Sequence, residues 1–522
     1  MGKEFGLALF LLLLCQRGNT QLQSCPYRCQ CFTPVQVLCA ETWISSLPRN
    51  LSRQVTDFIL MTSSVSYLIP NAFENSPQLT KLILMNNVLR SIHSEAFSQL
   101  TQLQELEISG NHLLEHLFLG TFSNQGNLIK LFLNYNQFKM MLPGIFDPLK
   151  QLETLQMKGN NLSDLPEFLF LKLNNLRVLD LSLNKLTEVK WESLAGLGKL
   201  ETLKTNYNLI SNLTSNIFNN FSQLVELHME GNKISELADG IFFALTKLEV
   251  LNLRGNLLTS FSDNVFGFKA SNLKELNLKG NRLAQVSSLS SFTSLTDLIL
   301  SSNQLSNLPE DIFNNTTMLE NLDLSENHLS SLPGTIFQEL FSIKTIHLNK
   351  NNLSRLEANL FESQLFMQQL YLSDNRLETV PPGLLDPFVM QCTVRLHGNP
   401  WKCDCHMFYL HDWVLKNALD IEMLDRVLCD SPNFLQRQTV ASINEDQLVC
   451  QVSKEGVPDL RGCSLQASND SVTIKCRVNK SSPMTVKVQF EEDDGRLTEH
   501  VLTNKSGPLK CDNETVTESL LE

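Results

Sequence analysis

Residues His112, Glu115 and His116 have the types and the order of a metal-binding motif. They form H-x-x-E-H within NHLLEH (111–116), the inverted zinc-protease signature, in which two histidines bind zinc and a glutamate acts as general base. This chemistry requires a helix that presents both histidines on one face. The metal interpretation therefore depends on whether residues 112–116 are predicted to be helical.

Residues 111–116 lie instead within a repeated pattern of leucine and asparagine. The frame L-x-x-L-x-L-x-x-N-x-L occurs in LTKLILMNNVL (79–89), LQELEISGNHL (103–113), LRVLDLSLNKL (176–186) and LENLDLSENHL (319–329). A weaker copy at 55–65 has Ser63 in the place of the asparagine. The asparagine of the frame recurs, mostly every 24 residues, at Asn87, Asn111, Asn136, Asn160, Asn184, Asn208, Asn232, Asn256, Asn281, Asn303, Asn327, Asn351, Asn375 and Asn399. This period predicts a leucine-rich repeat array of about fifteen coils.

The repeat predicts the fold class: an α/β but mainly β leucine-rich repeat horseshoe solenoid with a concave parallel β-sheet. Each coil contributes one short strand, in which alternate residues face in and out. The leucines face inward and stack between coils, since one coil cannot bury that face alone. The asparagine is predicted to be buried at the turn after the strand and bonded to the backbone of adjacent coils. A second buried column is predicted from phenylalanines ten residues after the asparagine position, at Phe73, Phe97, Phe146, Phe170, Phe218, Phe242, Phe266, Phe313, Phe337 and Phe361.

This frame argues against a metal site at residues 112–116. Asn111 is the repeat asparagine, and Leu113 and Leu117 are predicted to be core leucines. The two histidines then lie in the turn that leaves the strand, where the helix that a zinc site needs is not expected. No other catalytic motif that we sought, such as G-x-S-x-G or a glycine-rich phosphate loop, is present. The sequence therefore predicts neither enzymatic activity nor a cofactor.

The N-terminus, cysteines and charge predict a secreted glycoprotein. Lys3 precedes an apolar run from Phe5 to Cys15, so residues 1–20 resemble a signal peptide; an uncleaved anchor is the alternative. No later apolar stretch is long enough to span a membrane. The net charge of −13 argues against nucleic acid as a partner. Sequons for N-glycosylation occur at Asn50, Asn161, Asn212, Asn220, Asn314, Asn315, Asn352, Asn469, Asn479, Asn504 and Asn513.

Clustered cysteines predict a cap at each end of the array, because the terminal coils would otherwise expose their core. Residues 21–48 hold Cys25, Cys29, Cys31 and Cys39, and residues 399–450 hold Cys403, Cys405, Cys429 and Cys450. The repeats occupy 49–398 between these caps. Within the second cap, residues 407–417 have helical apolar spacing, and Trp401 and Trp413 are predicted to be core residues. Residues 451–522 are predicted to form a glycosylated β-rich tail; the pairing of Cys392, Cys463, Cys476 and Cys511 stays open.

Apolar residues on the outward face of the first strands form a candidate partner-binding surface. Outward positions lie four and two residues before each asparagine and are mostly polar, as at Asp180 and Ser182. A group of exposed apolar side chains would be unusual on a monomer, and methionines suit a contact surface. The alternative is that the N-terminal cap folds over these residues. The candidate residues are Ile59, Met61, Ile83, Met85, Phe132 and Tyr135.

The chain resembles the family of regulatory, large, non-catalytic subunits of carboxypeptidase N, which are secreted leucine-rich repeat glycoproteins. The resemblance rests on NAFENSPQLTKLIL (71–84), LHGNPWKCDCHMFYLHDWV (396–414), INEDQLVC (443–450) and the cysteine-bearing tail. It implies a plasma protein that binds and stabilises a zinc carboxypeptidase catalytic subunit in a hetero-oligomer, with the metal chemistry in the partner. It also implies the disulfides Cys25–Cys31, Cys29–Cys39, Cys403–Cys429 and Cys405–Cys450. Two alternatives are an adhesion or receptor ectodomain resembling platelet glycoprotein V and a secreted ligand-binding protein resembling leucine-rich alpha-2-glycoprotein.

Overall fold

The computed structural model describes residues 25–48, 51–267 and 270–450, and the backbone of four strands beyond them. The predicted signal peptide (1–20), Asn50, Cys511 and the tail sequons lie outside the described residues. The chain divides into two compact units. The first comprises 1–352, 359–371 and 387–392, and the second comprises 353–358, 372–386 and 393–522.

The first unit is built on a sheet of short strands, one from each coil. An antiparallel pair, Gln30–Thr33 and Gln36–Cys39, begins it, and every later neighbour is parallel. The remaining strands are Asp57–Met61, Lys81–Met85, Glu105–Glu107, Lys130–Phe132, Thr154–Gln156, Val178–Asp180, Thr202–Lys204, Glu226–His228, Val250–Asn252, Glu275–Asn277, Asp297–Ile299, Asn321–Asp323, Thr345–His347 and Gln369–Tyr371. The segments between them hold little regular structure: the paired strands Tyr67–Leu68 with Ser91–Ile92 and Ser260–Phe261 with Gln285–Val286, and a 3₁₀-helix, Asp263–Phe266.

Leucine columns form the core because the strands pair without a shift in register. Leu82 lies opposite Leu106, and Leu106 lies opposite Leu131. All ten predicted phenylalanines are buried. Rings of neighbouring coils meet, some stacked, as for Phe337 and Phe361 at 5.9 Å, and some tilted, as for Phe218 and Phe242 at 5.5 Å. The predicted solenoid and its mainly β composition are confirmed.

Each repeat asparagine is buried and ties its coil to the preceding one. The Asn232 amide donates to the carbonyl of Met229 in its own coil (2.9 Å) and to that of Thr205 in the preceding coil (3.0 Å). Its Oδ1 accepts from the Ile210 N–H at 3.1 Å. A buried amide is tolerated here because backbone groups of both coils satisfy its hydrogen-bonding capacity.

The residue before each repeat asparagine adopts a left-handed backbone conformation, which turns the chain out of the strand. Several of these residues are not glycine, among them Tyr135 (φ 55°), Leu183 (φ 57°) and Tyr207 (φ 54°). A left-handed conformation costs an L-residue roughly 1–2 kcal/mol. The asparagine bonds that follow each turn offset that cost.

The prediction that Leu113 is a core residue is wrong. Its side chain is exposed, and Leu114 is buried in its place; Leu117 is buried as predicted. This coil has one extra residue, and an additional turn closed by Leu114 N–H to the Asn111 carbonyl (3.0 Å) moves the inward position along by one.

The second unit contains a compact cysteine-rich cap. Its helix is Phe408–Lys416, which confirms the helical spacing, and its short strands are Thr393–Arg395, Trp401–Lys402, Ile421–Glu422 and Cys429–Ser431. Trp401 is fully buried, whereas Trp413 is only half-buried, so its assignment to the core is wrong. The short 3₁₀-helices are Ala418–Asp420, Leu424–Arg426, Asn433–Leu435, Val440–Ser442 and Glu445–Gln447.

Two antiparallel hairpins are described by their backbone after residue 450. Cys463–Ser468 pairs with Ser471–Cys476, and Thr485–Glu491 pairs with Leu497–Thr503. The first hairpin places Cys463 and Cys476 directly opposite in register.

Candidate protein-binding surface

The zinc-protease-like segment is not helical and its residues do not converge. His112, Glu115 and His116 are all exposed on the turn and extended chain that follow Asn111. Glu115 pairs with Lys139 of the next coil at 2.9 Å, and this bond lowers the pKa of the Glu115 carboxyl. The His116 ring packs edge-on against Phe118 at 5.1 Å. Both are surface contacts, the first with the next coil and the second within the coil.

A second cluster of potential metal ligands lies in the C-terminal cap. Asp404, Cys405, His406 and Cys450 hold donor atoms within 4.8 Å of one another. The two sulfurs are joined in a disulfide, so neither is the thiolate that binds a metal. Partial burial opposes ionisation of Asp404, but bonds from the His406 N–H and Lys402 outweigh it and lower its pKa. The remaining cap disulfides are Cys25–Cys31, Cys29–Cys39 and Cys403–Cys429.

Four of the candidate binding residues lie together on the outward face of the first strands. Ile59 is the register partner of Ile83, and Met61 that of Met85. All four are half-buried. We call these four residues the sheet patch. Leu38 of the cap strand pairs beside Ile59 in the same sheet, so this strand extends the sheet at the patch.

Glu107 separates the sheet patch from Phe132. It is the register partner of Ile83 on one side and of Phe132 on the other. Burial raises its pKa, as does the nearby Glu105 carboxylate, against lowering contributions from Ser109 and Lys81. Glu105 is held by Lys81 at 2.8 Å. The apolar row is therefore interrupted by a carboxyl group in surroundings that disfavour its charge.

Tyr135 does not lie on a strand and does not join the sheet patch. It occupies the left-handed position before Asn136, and its side chain is 48% exposed. The Lys158 ammonium lies 6.0 Å from the centre of its ring. Tyr135 is therefore an exposed aromatic group on the turn edge rather than on the sheet face.

The rest of the outward face is mostly polar. Asp180 and Ser182 on this face are buried, and the Ser182 N–H donates to Asp180 at 2.9 Å. Among the described sequons, Asn212, Asn220, Asn314 and Asn315 are exposed and Asn161 and Asn352 are half-buried. None of these six lies in a strand, so glycans attached there would start outside the sheet.

One apolar surface was missed by the sequence reasoning. Met318, Phe341, Leu365, Phe366, Val389 and Met390 are exposed along the last coils of the first unit, each a few residues after the buried phenylalanine position. The signal was present in the repeat frame, since the same two turn positions carry only polar residues, glycine or proline in the earlier coils.

A model of the "Leucine rich repeat" family matches residues 53–113, 155–210, 222–283, 247–305 and 293–353. Over 62 residues, or 12% of this chain and 11% of the relative, the chain is 44% identical to "Carboxypeptidase N subunit 2" of Homo sapiens. Over 73 residues it is 34% identical to the Mus musculus protein of the same name, covering 14% of this chain and 13% of that relative. Each match thus spans little more than a tenth of the relative.

Among solved structures, the leucine-rich repeat protein LIC12759 of Leptospira interrogans superposes with a TM-score of 0.63. It is 26% identical, and the match covers 74% of this chain and 94% of that one. Among the described residues, no helix has both the length and the apolar character that a membrane crossing demands.

Proposed function

We propose that this chain, which folds as a leucine-rich repeat solenoid, is a non-catalytic regulatory subunit that binds and stabilises a secreted zinc carboxypeptidase in plasma. The observation that carries this proposal is its similarity to "Carboxypeptidase N subunit 2" of two organisms. Repeat solenoids present extended surfaces to protein partners. The disulfides of both caps are typical of extracellular proteins.

The sheet patch supplies the chemistry for such a contact. Ile59, Met61, Ile83 and Met85 are half-buried side chains in register on two adjacent strands. Burying them against a partner would remove apolar surface from water, and methionine side chains adapt to the shape of a partner. The Lys81–Glu105 pair beside the patch offers polar contacts at its rim.

Capture of the protein from serum tests the proposed partner directly. We expect the captured complex to release arginine or lysine from the C-terminus of a synthetic peptide, with the activity removed by a zinc chelator. The isolated recombinant chain should show no such activity. A captured protein that carries no carboxypeptidase would contradict the proposal and favour an adhesion or receptor function.

Replacing both Met61 and Met85 with aspartate is expected to weaken carboxypeptidase capture about 10–100-fold, since two desolvated contacts are exchanged for charges. The array should stay folded because both side chains face outward. The measurement is the dissociation constant for the purified carboxypeptidase, with thermal melting as the folding check.

The matched control is Asn277→Asp, which adds a negative charge on the polar part of the same sheet. Asn277 Oδ1 accepts the Lys279 N–H at 3.1 Å, and aspartate retains that acceptor. The control should bind as the unaltered chain does. Equal affinity for all three proteins would assign the carboxypeptidase contact to another surface.

A further inference from the structure

Six exposed apolar residues line one edge of the last coils of the first unit. We call Met318, Phe341, Leu365, Phe366, Val389 and Met390 the apolar ridge; their exposed fractions range from 43% to 73%. Contiguous apolar patches of this kind, about 300–600 Å² on an ordinary monomer, commonly mark interaction sites. The ridge lies far along the chain from the sheet patch and is not part of the proposed carboxypeptidase contact.

The repeat itself provides the comparison that makes the ridge unusual. A tight turn precedes most strands and is closed by the buried residue that follows it, as in Leu319 N–H to the Thr316 carbonyl (3.0 Å) and Leu224 N–H to the Phe221 carbonyl (3.0 Å). In earlier coils its two central residues are Pro77 and Gln78, Thr101 and Gln102, Gly126 and Asn127, Lys150 and Gln151, Asn174 and Asn175, Gly198 and Lys199, Ser222 and Gln223, Thr246 and Lys247, and Thr293 and Ser294. The same position tolerates polar residues throughout, so the fold does not require the apolar ones.

The ridge residues follow one another on adjacent coils. Backbone bonds join the coils at this edge: the Lys344 N–H donates to the Glu320 carbonyl (2.8 Å), and the Gln368 N–H donates to the Lys344 carbonyl (2.7 Å). The Val389 N–H donates to the Leu365 carbonyl (3.0 Å). Neighbouring coils are about 4.8 Å apart, so the ridge is roughly 15 Å long.

The backbone at this edge excludes an added β-strand. Strand addition requires a continuous open row of N–H and C=O groups, but the groups that flank the central turn residues are used by the turn closures and by the bonds between coils, which interrupts any such row. A segment that binds the ridge must therefore form its backbone hydrogen bonds internally, as a helix does. The spacing agrees: side chains one turn apart on a helix are about 5.4 Å apart, close to the coil spacing, whereas same-face residues of a strand are about 6.8 Å apart.

The charges beside the ridge define the polar face of that helix. Glu339 and Glu362 precede the ridge residues of their coils, are exposed, and form no ion pair with any residue of the described chain. On the strand side, Glu320 is already neutralised by Lys344 at 2.6 Å. The carboxylates on the other side disfavour a second copy of this acidic chain and favour a cationic partner.

We propose that the apolar ridge is a docking site for a cationic amphipathic helix of a partner protein. About three turns of helix cross the four coils, with apolar residues at i, i+4, i+7 and i+11 placed on Met318, Phe341, the pair Leu365 and Phe366, and the pair Val389 and Met390. Lysine or arginine on the flank of the helix faces Glu339 and Glu362.

The test uses a synthetic, fluorescently labelled peptide of about 15 residues with leucines at that spacing and lysines on the flank. We expect it to bind the full chain, and a peptide of equal composition with the leucines scattered around the helix to bind about ten-fold less tightly or worse. Phe341→Thr together with Phe366→Gln should weaken binding by about ten-fold or more. These substitutions introduce residues that the chain already uses at the same turn positions, as in Thr246 and Gln223, so the fold is preserved.

Two further variants distinguish binding at the ridge from non-specific hydrophobic binding elsewhere on the chain. Leu119→Ser removes a side chain that is similarly exposed on an early coil and should leave binding unchanged. Glu339→Lys with Glu362→Lys should weaken binding and reduce its sensitivity to salt. Equal binding by all variants, or none by the unaltered chain, would overturn the proposal. Self-association that the Phe341/Phe366 variant abolishes would assign the ridge to a second copy instead and would also overturn it.

Discussion

Replacing Asn232 with leucine is expected to lower the free energy of unfolding by about 2–4 kcal/mol, because an orphaned buried donor costs about 1–3 kcal/mol and each further lost hydrogen bond about 1 kcal/mol. The substitution removes the acceptor of the Ile210 N–H. The Thr205 and Met229 carbonyls each lose one of two asparagine donors, because they also accept from Asn208 and Asn256. Leucine has a similar volume, so the loss reflects hydrogen bonds rather than a cavity. The measurement is chemical denaturation followed by circular dichroism, with the cap disulfides intact.

Asn174→Leu is the matched control for this prediction. Asn174 is exposed at a turn, and replacing an exposed residue there should change the free energy of unfolding by no more than about 0.5 kcal/mol. If the Asn232 variant melted as the control does, the asparagine bonds would contribute little to the cohesion of the coils.

Replacing Gly196 with alanine is expected to destabilise the array by about 2–4 kcal/mol, since a special backbone conformation and a steric clash are combined. Gly196 has φ +93°, and a Cβ there would lie 2.4 Å from the carbonyl oxygen of Leu171 and 2.8 Å from its Cα. These are backbone atoms of the preceding coil, so no side-chain rotation relieves the clash. A shift between two coils is the expected result, and thermal melting measures it.

Gly240→Ala separates the clash from the conformation. Gly240 has φ +71°, but no atom lies within 4 Å of a Cβ built on it. Alanine there should cost only about 1 kcal/mol, the penalty for a left-handed L-residue. Equal melting temperatures for the two variants would show that the coils at Gly196 can move apart at little cost.

Much of the fold was predictable because every coil packs its side chains in the same way against its neighbours. A side chain that points inward in one coil meets its equivalents above and below, so leucine, phenylalanine and asparagine recur at fixed positions. The repeat asparagines and the ten phenylalanines were therefore located from spacing alone, and all are buried. The prediction that residues 112–116 do not form a zinc site came from the same repeat frame.

Departures from the frame could not be predicted from spacing. In the coil of Asn111, one extra residue leaves Leu113 exposed and Leu114 buried. The spacing of the repeat does not indicate which of the two leucines faces inward. Asp180 and Ser182 occupy outward positions of the repeat frame, but both side chains are buried. The left-handed turns at Tyr135, Leu183 and Tyr207 carry no residue preference that spacing would detect.

The candidate binding surface was only partly predictable, for a related reason. Residues in register on neighbouring strands, such as Met61 and Met85, meet because the period is regular. Glu107 interrupts that row because its own coil has a different residue at the same place. The apolar ridge could have been predicted from the sequence, but only by comparing the same turn positions across all the coils.

The left-handed tyrosines restrict how such an array can lengthen by duplication of coils. The ring of Tyr135 lies where a Cβ of Gly159 would stand, 2.4 Å from Cδ1, and Tyr207 covers Gly231 in the same way. A tandem copy of the Tyr135 coil would place a Cβ within 2.4 Å of this ring, so the ring would have to leave its place over the following coil. Duplication of the tyrosine coil together with the glycine coil that follows it avoids this clash, so the array lengthens more readily by the pair.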